Sequence, residues 1–185
     1  MPSTRSKLTL VLGGARSGKS TLAEKLVRES GLAPVYVATA EALDDEMAAR
    51  IAAHRARRDA GWRLIEVPLR LVDTLRAEAG PERVVLVDCL TLWLTNLMTA
   101  GLDPEHETAA LVQAVENLAG PVVMVSNEVG QGVVPADAMS RAFVDHAGRL
   151  HQTLAAVADE VVLVVAGLPL RLKPSNGTSR RPCIS

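Results

Sequence analysis

A glycine-rich stretch near the amino end, Gly-Gly-Ala-Arg-Ser-Gly-Lys-Ser at residues 13–20, constrains the fold of this chain more than any other feature. It matches the pattern G-x-x-x-x-G-K-[ST], which is typical of loops that hold nucleotide phosphates. The apolar run before it, residues 8–12, predicts a β-strand, and the helical spacing of residues 20–29 predicts a helix. A strand, a glycine-rich loop and a helix in this order favour a phosphate-binding loop over a chance glycine-rich turn.

The residue types in this loop suit a bound triphosphate. Glycines let the backbone curl so that successive N–H groups point at phosphate oxygens, and the helix N-terminus adds partial positive charge. We predict that Lys19 binds the β- and γ-phosphates and acts in catalysis, and that Ser20 is a ligand of Mg²⁺. The predicted nucleotide contacts of the loop are Gly13, Gly14, Ala15, Arg16, Ser17, Gly18, Lys19 and Ser20.

The composition excludes several classes of protein. A chain of 185 residues that is 48% hydrophobic is long enough for one substantial core and is not a disordered chain. A net charge of −1 and an aromatic content of 2% argue against a nucleic-acid partner. No apolar run is long enough for a membrane span or a signal peptide, so we expect a cytoplasmic protein. Its two cysteines, Cys89 and Cys183, are expected to be reduced.

Strand and helix patterns alternate along the chain. Strands are predicted over residues 8–12, 34–39, 62–67, 83–88, 121–126 and, as the last one, 160–166. Helices are predicted over residues 20–29, 42–58, 69–79, 90–100 and 104–118, and from the N-cap Asp137 to about residue 157. Apolar strands separated by helices predict a mostly parallel sheet covered on both faces. We expect one catalytic domain over residues 1–173 and a disordered tail over residues 174–185.

Three features at or just after predicted strand ends are candidates for a chemical role. Asp88 ends a buried strand, where a carboxylate is the expected second partner of Mg²⁺, although it could be only a turn residue. Cys89 stands where motor-type ATPases often carry a glutamate that activates water, which favours transfer to an acceptor over hydrolysis. The glycine-rich loop 127–135 could face the same site, because ligands of parallel sheets bind at the carboxyl ends of strands. Its glycines could equally serve only to turn the chain.

The predicted helix 42–58 brings a histidine and several arginines onto one face. Arg50, His54 and Arg57 fall within about 60° of one another, and Arg58 is adjacent. One interpretation is a solvated basic face. The other is functional: arginines bind phosphates, and their charge lowers the pKa of His54 so that a neutral imidazole attacks an α-phosphorus. The remaining histidines, His106, His146 and His151, are interpreted as surface or packing residues.

Several blocks in fixed order resemble one enzyme family. They are the glycine-rich loop, Tyr-Val-Ala-Thr at 36–39, Asp-Asp-Glu-Met-Ala-Ala-Arg-Ile at 44–51, His-Arg at 54–55, Trp62 and Asn-Glu-Val-Gly at 127–130. From about residue 8 to residue 173 the chain resembles the bifunctional adenosylcobinamide kinase/adenosylcobinamide-phosphate guanylyltransferase family of cobalamin biosynthesis. Two departures are Asp59, where the family often has proline, and Asp88, where relatives can have glutamate.

The resemblance implies a RecA-like P-loop NTPase fold and a homo-oligomer such as a trimer. It implies phosphorylation of adenosylcobinamide with ATP or GTP, then transfer of GMP from GTP to adenosylcobinamide phosphate through a guanylylated histidine. The histidine that matches is His54. Besides the loop, the implied nucleotide contacts are Ala38, Thr39, Ala40, Arg55, Ala56, Arg57, Arg58, Glu66 and Asp88.

Two other functions stay open at this point. One is a P-loop kinase of another small metabolite, in which His54 is only structural. The other is a RecA-type ATPase or binding module that a nucleotide switches. The near-zero net charge, the few aromatic residues and the lack of an acid after Asp88 argue against the second.

Overall fold

The computed structural model of the chain describes residues 7–40 and 61–174. The strands are β1 (Leu8–Gly13), β2 (Ala33–Ala38), β3 (Arg63–Glu66), β4 (Arg83–Asp88), β5 (Val122–Asn127), β6 (Glu160–Val165) and β7 (Leu168–Lys173). The helices are α1 (Lys19–Glu29), α2 (Leu71–Glu78), α3 (Leu90–Thr99), α4 (Pro104–Val115) and α5 (Ala138–Val157). The predicted helix over residues 42–58 and the predicted tail beyond Pro174 lie outside the described residues.

The strands form one seven-stranded sheet in the order β3-β2-β4-β5-β1-β6-β7. Strands β1 to β6 run parallel to one another, and β7 pairs antiparallel with β6. The prediction of a mostly parallel sheet is therefore confirmed. Strand β5, which ends at Asn127, lies between β1 and β4.

Helices cover both faces of this sheet, as predicted. On one face α2 to α5 pack in a core that contains Leu10, Trp93 and Leu150. On the other face α1 packs through Ala23 and Val27. Successive residues of a strand point to opposite faces, so the interior strands are apolar throughout because neither face meets water. Among the described helices, none is long and apolar enough to cross a membrane.

The prediction that residues 160–166 form the last strand is wrong, because the chain turns back to form β7. The turn consists of Ala166 and Gly167, with φ of 52° and 79°. Two successive positive φ values are the backbone of a two-residue hairpin turn. The sequence signal was weak because β7 is an edge strand: it contains a proline and exposes Leu168, Leu170 and Leu172.

The N-cap prediction at Asp137 is confirmed. Its carboxylate accepts a hydrogen bond from the backbone N–H of Ser140 at 2.8 Å, and α5 begins at the next residue. This bond satisfies one of the N–H groups that the first helical turn leaves without an intrahelical partner. The same bond lowers the pKa of the Asp137 carboxyl, because it stabilises the charged form.

Candidate active site at the carboxyl edge of the sheet

The strand registers bring the predicted site residues of the described regions to one edge of the sheet. Ala38 at the end of β2 is paired with Glu66 at the end of β3 and with Asp88 at the end of β4. On the other side of β5, Gly13 at the end of β1 is paired with Asn127. Because these strands are parallel, all five carboxyl ends meet at the edge where ligands of such sheets bind.

The loop between β1 and α1 is shaped by its glycines. Gly18 is the N-cap of α1 and has a φ of 95°, in the left-handed region that disfavours side chains. A Cβ on Gly13 would lie 2.7 Å from the carbonyl oxygen of Val164, so this position has no room for a side chain. The hairpin turn holds the loop as well: the Gly167 N–H donates to the carbonyl of Ser17 at 2.8 Å.

The Lys19 side chain folds back onto this loop. Lys19 is the first residue of α1, its side chain is buried, and its Nζ donates to the carbonyl of Gly14 at 3.1 Å. An ammonium group has three donors, so this bond leaves donors for phosphate oxygens. Ser20 follows in the first turn of the same helix and is half-buried. Both residues are therefore located where the motif requires them to be for a phosphate held at the helix N-terminus.

Asp88 and Lys19 both lie within electrostatic reach of Cys89. Both act electrostatically on the thiol of Cys89: the carboxylate raises its pKa and the ammonium lowers it. Asp88 Oδ2 also accepts a hydrogen bond from the Tyr36 hydroxyl at 3.0 Å, and the Tyr36 ring meets Trp62 edge to face. These contacts fix the Asp88 carboxylate at the site edge.

The donor set suits a magnesium ion. Hydroxyl and carboxylate oxygens, here from Ser20 and Asp88, are the ligands that Mg²⁺ takes in phosphate-loop sites, together with substrate phosphates and water. Within residues 7–40 and 61–174, no group of three or more His, Cys, Asp or Glu side chains could hold a metal ion. A metal bound here would therefore depend on the nucleotide for most of its ligands.

Cys89 is not a candidate for acid–base or nucleophilic work. Burial, followed by the charge of Asp88, raises the pKa of its thiol to about 11. The thiol also lies 3.2 Å from the hydroxyl of Thr91. A thiol of this kind stays protonated at neutral pH, whereas the thiolate is the reactive form. The position that carries a water-activating glutamate in many ATPases therefore carries an inert group in this chain.

Thr39 joins two strands at the site. Its side chain is fully buried, and its Oγ1 donates to the carbonyl of Cys89 at 2.7 Å while it accepts from the Cys89 N–H at 2.9 Å. Asn96 donates to the Thr39 carbonyl and also to the carbonyl of Pro68. A nucleotide that contacts Thr39 through its hydroxyl or its carbonyl would have to share that group with Cys89 or Asn96. The sequence had no signal for the bridging role of Asn96, because the two carbonyls it joins come from distant segments.

We expect Thr39→Val to destabilise the fold by about 1–3 kcal/mol. Valine has the same shape but leaves the buried N–H and carbonyl of Cys89 without the partner that Thr39 provides. Urea unfolding followed by circular dichroism measures the difference. Thr39→Ser, which keeps the hydroxyl, is the matched control, and a loss as large in Thr39→Ser as in Thr39→Val would contradict the hydrogen-bond explanation.

The loop after β5 closes the other side of the site. The Glu128 N–H donates to the carbonyl of Gly13 at 3.0 Å, which ties this loop to the start of the phosphate loop. Between the two loops and the end of β6 is an open cavity of about 590 Å³, within the range of small-molecule sites. Its lining includes residues 14–17, Glu128, Val129, Gln131, Gly132 and residues 163–166.

Two histidine predictions are resolved by the structure. His106 is a surface residue, as predicted, with 76% of its side chain exposed. His151 is buried and bonded to Ser126, an arrangement that the spacing of α5 alone did not indicate. The predicted nucleophile and its neighbours, namely His54, Arg55, Ala56, Arg57 and Arg58, lie outside the described residues, so their roles stay predictions.

A glycine-rich loop between a parallel strand and a helix, a buried lysine next to it and an acid at the end of β4 define a P-loop nucleotide-binding enzyme with a mostly parallel sheet. Residues 9–172 match the family model described as cobinamide kinase / cobinamide phosphate guanyltransferase. The chain belongs to this family and is a transferase.

Individual relatives agree with this assignment. The chain is 56% identical to the bifunctional adenosylcobalamin biosynthesis protein CobP of Pseudomonas aeruginosa, over 89% of this chain and 96% of that protein. It is 42% identical to the bifunctional adenosylcobalamin biosynthesis protein CobU of Escherichia coli, over 90% and 99% of the two chains. A solved protein of Pyrococcus horikoshii OT3 shares the fold at a TM-score of 0.56 and 13% identity, over 98% and 95% of the two chains. The family resemblance based on the motifs is thereby confirmed.

Proposed function

We propose that this chain catalyses two successive reactions on one corrinoid. It phosphorylates adenosylcobinamide with ATP or GTP, and it then transfers GMP from GTP to adenosylcobinamide phosphate, which yields adenosyl-GDP-cobinamide and pyrophosphate. The observation that carries this proposal is the buried Lys19 at a phosphate loop, in a chain whose family is named for these two activities and whose relative CobP is named a bifunctional adenosylcobalamin biosynthesis protein. A single catalytic domain over residues 1–173 and a cytoplasmic location are parts of the same proposal.

In the kinase reaction the substrate hydroxyl attacks the γ-phosphorus of a triphosphate held by the loop. The Lys19 ammonium and the N-terminus of α1 stabilise negative charge on the phosphate oxygens as the bond to the β-phosphate breaks. A bound Mg²⁺, held by Ser20 and Asp88, would neutralise further charge on the same oxygens. Because these protein groups are already in position before the reaction, no free energy is spent on reorienting them in the transition state.

In the guanylyl reaction a neutral His54 attacks the α-phosphorus of GTP and pyrophosphate leaves. The phosphate of adenosylcobinamide phosphate then attacks the phosphorus bonded to His54, and the histidine is released. Two steps with a covalent intermediate replace one difficult displacement. We propose that Arg55, Arg57 and Arg58 contact the nucleotide phosphates and keep the imidazole uncharged.

The test uses the purified chain with adenosylcobinamide, ATP and GTP. We expect mass spectrometry to detect first the phosphorylated corrinoid and then the GDP-corrinoid, with pyrophosphate as co-product. A kinase of another metabolite would yield neither corrinoid product. A nucleotide-switched ATPase would release phosphate without any corrinoid present, and either result would overturn the proposal.

We also propose that the chain forms a homo-oligomer, with a trimer as the expected state. An apolar surface supports this: Leu168, Leu170 and Leu172 are exposed on the edge strand β7. Light scattering coupled to size exclusion should give a mass about three times that of the chain. We expect Leu170→Lys to lower this mass and Leu102→Lys, in a loop elsewhere on the surface, to leave it unchanged. A monomeric wild-type chain would contradict the proposal.

A further inference from the structure

We infer that Glu128 accepts the proton of the substrate hydroxyl in the kinase reaction, and that His151 positions its carboxylate. This inference rests on the proposed function, because it assigns a role within one of the two proposed reactions. It concerns a carboxylate, an imidazole and a hydroxyl that the mechanism above does not use. The three groups follow one another from the cavity into the core: Glu128, His151 and Ser126.

The backbone places Glu128 beside the phosphate loop. Its N–H donates to Gly13, the residue at which the loop begins, and its side chain shares the cavity lining with residues 14–17. The side chain is 23% exposed, so it is neither buried in the core nor free in solvent. A group that removes a proton must be within hydrogen-bond reach of the reacting hydroxyl, and this cavity is open to an acceptor that approaches the loop.

Contacts on both carboxylate oxygens restrict the orientation of the Glu128 side chain. Oε1 accepts a hydrogen bond from the Gly130 N–H at 2.8 Å. Oε2 lies 3.9 Å from Nδ1 of His151. The opposite ring nitrogen, Nε2, is 2.7 Å from the hydroxyl of Ser126, which is fully buried on β5. The imidazole is thus anchored in the core on one side and faces the carboxylate on the other.

The imidazole is neutral at neutral pH. Burial lowers the pKa of His151, and the nearby charge of Glu128 opposes this shift without overcoming it. A neutral imidazole has one donor and one acceptor nitrogen. The tautomer that suits both neighbours has its proton on Nδ1, towards Glu128, and accepts from the Ser126 hydroxyl at Nε2. At 3.9 Å this N–H makes no direct hydrogen bond to Oε2, but its partial positive charge faces the carboxylate and favours the observed orientation.

The two proposed reactions differ in their need for a proton acceptor. In the kinase reaction the acceptor is an alcohol: its oxygen bonds to the γ-phosphorus, the bond to the β–γ bridging oxygen breaks, and the nucleoside diphosphate leaves. The hydroxyl proton passes to Glu128 and then to solvent. In the guanylyl reaction the acceptor is a phosphate ester, which is already ionised and has no such proton to lose. Glu128 is therefore required in one reaction and idle in the other.

The other described groups at this edge fit the role less well. The Asp88 carboxylate is bonded to Tyr36 and is the expected partner of the metal. The thiol of Cys89 is buried and stays protonated. Glu66 ends β3, which is separated from β1 by the three strands β2, β4 and β5. Among the residues that the structure describes, Glu128 is the carboxylate that lines the cavity beside the phosphate loop.

The decisive variant is Glu128→Gln, which keeps an oxygen for the Gly130 N–H but cannot accept a proton. We expect kcat of the kinase reaction to fall about 100-fold or more, with KM for ATP unchanged. Labelling of the enzyme by GTP that carries its label in the α-phosphate should proceed at the wild-type rate. Glu116→Gln, on an exposed surface away from the site, is the matched control and should leave both readouts unchanged.

His151→Gln tests the positioning role. We expect His151→Gln alone to lower kcat of the kinase reaction about tenfold. The double variant with Glu128→Gln should have the same kcat as Glu128→Gln alone. The effects of two groups that act as one unit are not additive. If His151 were only structural, His151→Gln would lower the rates of both reactions, in the wild-type chain and in the Glu128→Gln variant alike. Chemical-denaturant unfolding verifies that each variant is folded.

The outcomes separate the two claims. If the wild-type chain lacks both corrinoid reactions, the proposed function fails. If the wild-type chain is active but Glu128→Gln retains its kinase kcat, or loses GTP labelling to the same extent, the inference about Glu128 fails alone. If Glu128→Gln has an unchanged kinase kcat but a raised KM for ATP, Glu128 serves nucleotide binding, and the inference that it accepts the proton is also overturned.

Discussion

Lys19→Ala is expected to lower the rate of both reactions about 10²–10³-fold. The Lys19 side chain is buried with its ammonium 3.1 Å from the Gly14 carbonyl, so alanine removes a fixed positive charge from the proposed phosphate site. The γ-phosphoryl transfer loses stabilisation of its transferring group, and the guanylyl step loses stabilisation of the leaving pyrophosphate. Steady-state kinetics of corrinoid phosphorylation and single-turnover labelling by GTP measure the two effects separately.

The same helix offers a matched control. Lys25 is exposed and pairs with Glu29 one turn further along α1, so Lys25→Ala changes the charge of the helix without touching the loop. We expect it to leave both rates unchanged. If Lys19→Ala stopped the kinase but left GTP labelling intact, the guanylyl reaction would need a second triphosphate site, and the proposal of one shared loop would be wrong.

His54→Ala is expected to abolish guanylyl transfer and to spare the kinase reaction. The proposed intermediate is a bond between the imidazole nitrogen and the α-phosphorus of GTP, and alanine has no atom that can form it. Exposure to α-labelled GTP should leave the variant unlabelled, whereas the wild-type chain should gain the mass of GMP on the peptide that contains His54. A phosphoramidate is labile in acid and stable in base, which distinguishes it from an ester.

His106→Ala provides the comparison, because His106 is an exposed histidine on α4, away from the described site. It should label like the wild-type chain. Retention of the label in His54→Ala would mean that another residue is guanylylated. Loss of the kinase reaction as well, in a folded variant, would mean that the histidine also serves phosphoryl transfer, and the proposed division of labour would fail.

Much of the fold could be predicted from the sequence because local patterns and tertiary structure agree. The continuous apolar runs of β1, β4 and β5 indicated strands buried on both faces, and the sheet has helices on both faces. Asp137 indicated the start of α5 through its capping oxygen. Strand β7 was missed because an edge strand needs no apolar run: one neighbour, β6, and a two-residue turn suffice to hold it.

The candidate site was predictable only in part, because some of its residues are neighbours in sequence and others meet only through packing of distant elements. Gly13, Lys19 and Ser20 lie within eight consecutive residues, so their chemistry is visible in a local motif. The contacts between Glu128, His151 and Ser126 join β5 to α5. Such contacts depend on how the elements pack, and helical periodicity gave His151 no distinguishing mark.

The sequence by itself determined the phosphate loop, the α/β class and the family, because each depends on residue types at short spacing. Tertiary structure alone decided the strand order, in which β5 separates β1 from β4, and the hairpin turn that packs on the loop at Gly167. It also decided which histidine is buried beside a carboxylate. These features depend on contacts between segments about 150 residues apart, such as the bond of Gly167 to Ser17, for which no local pattern encodes the pairing.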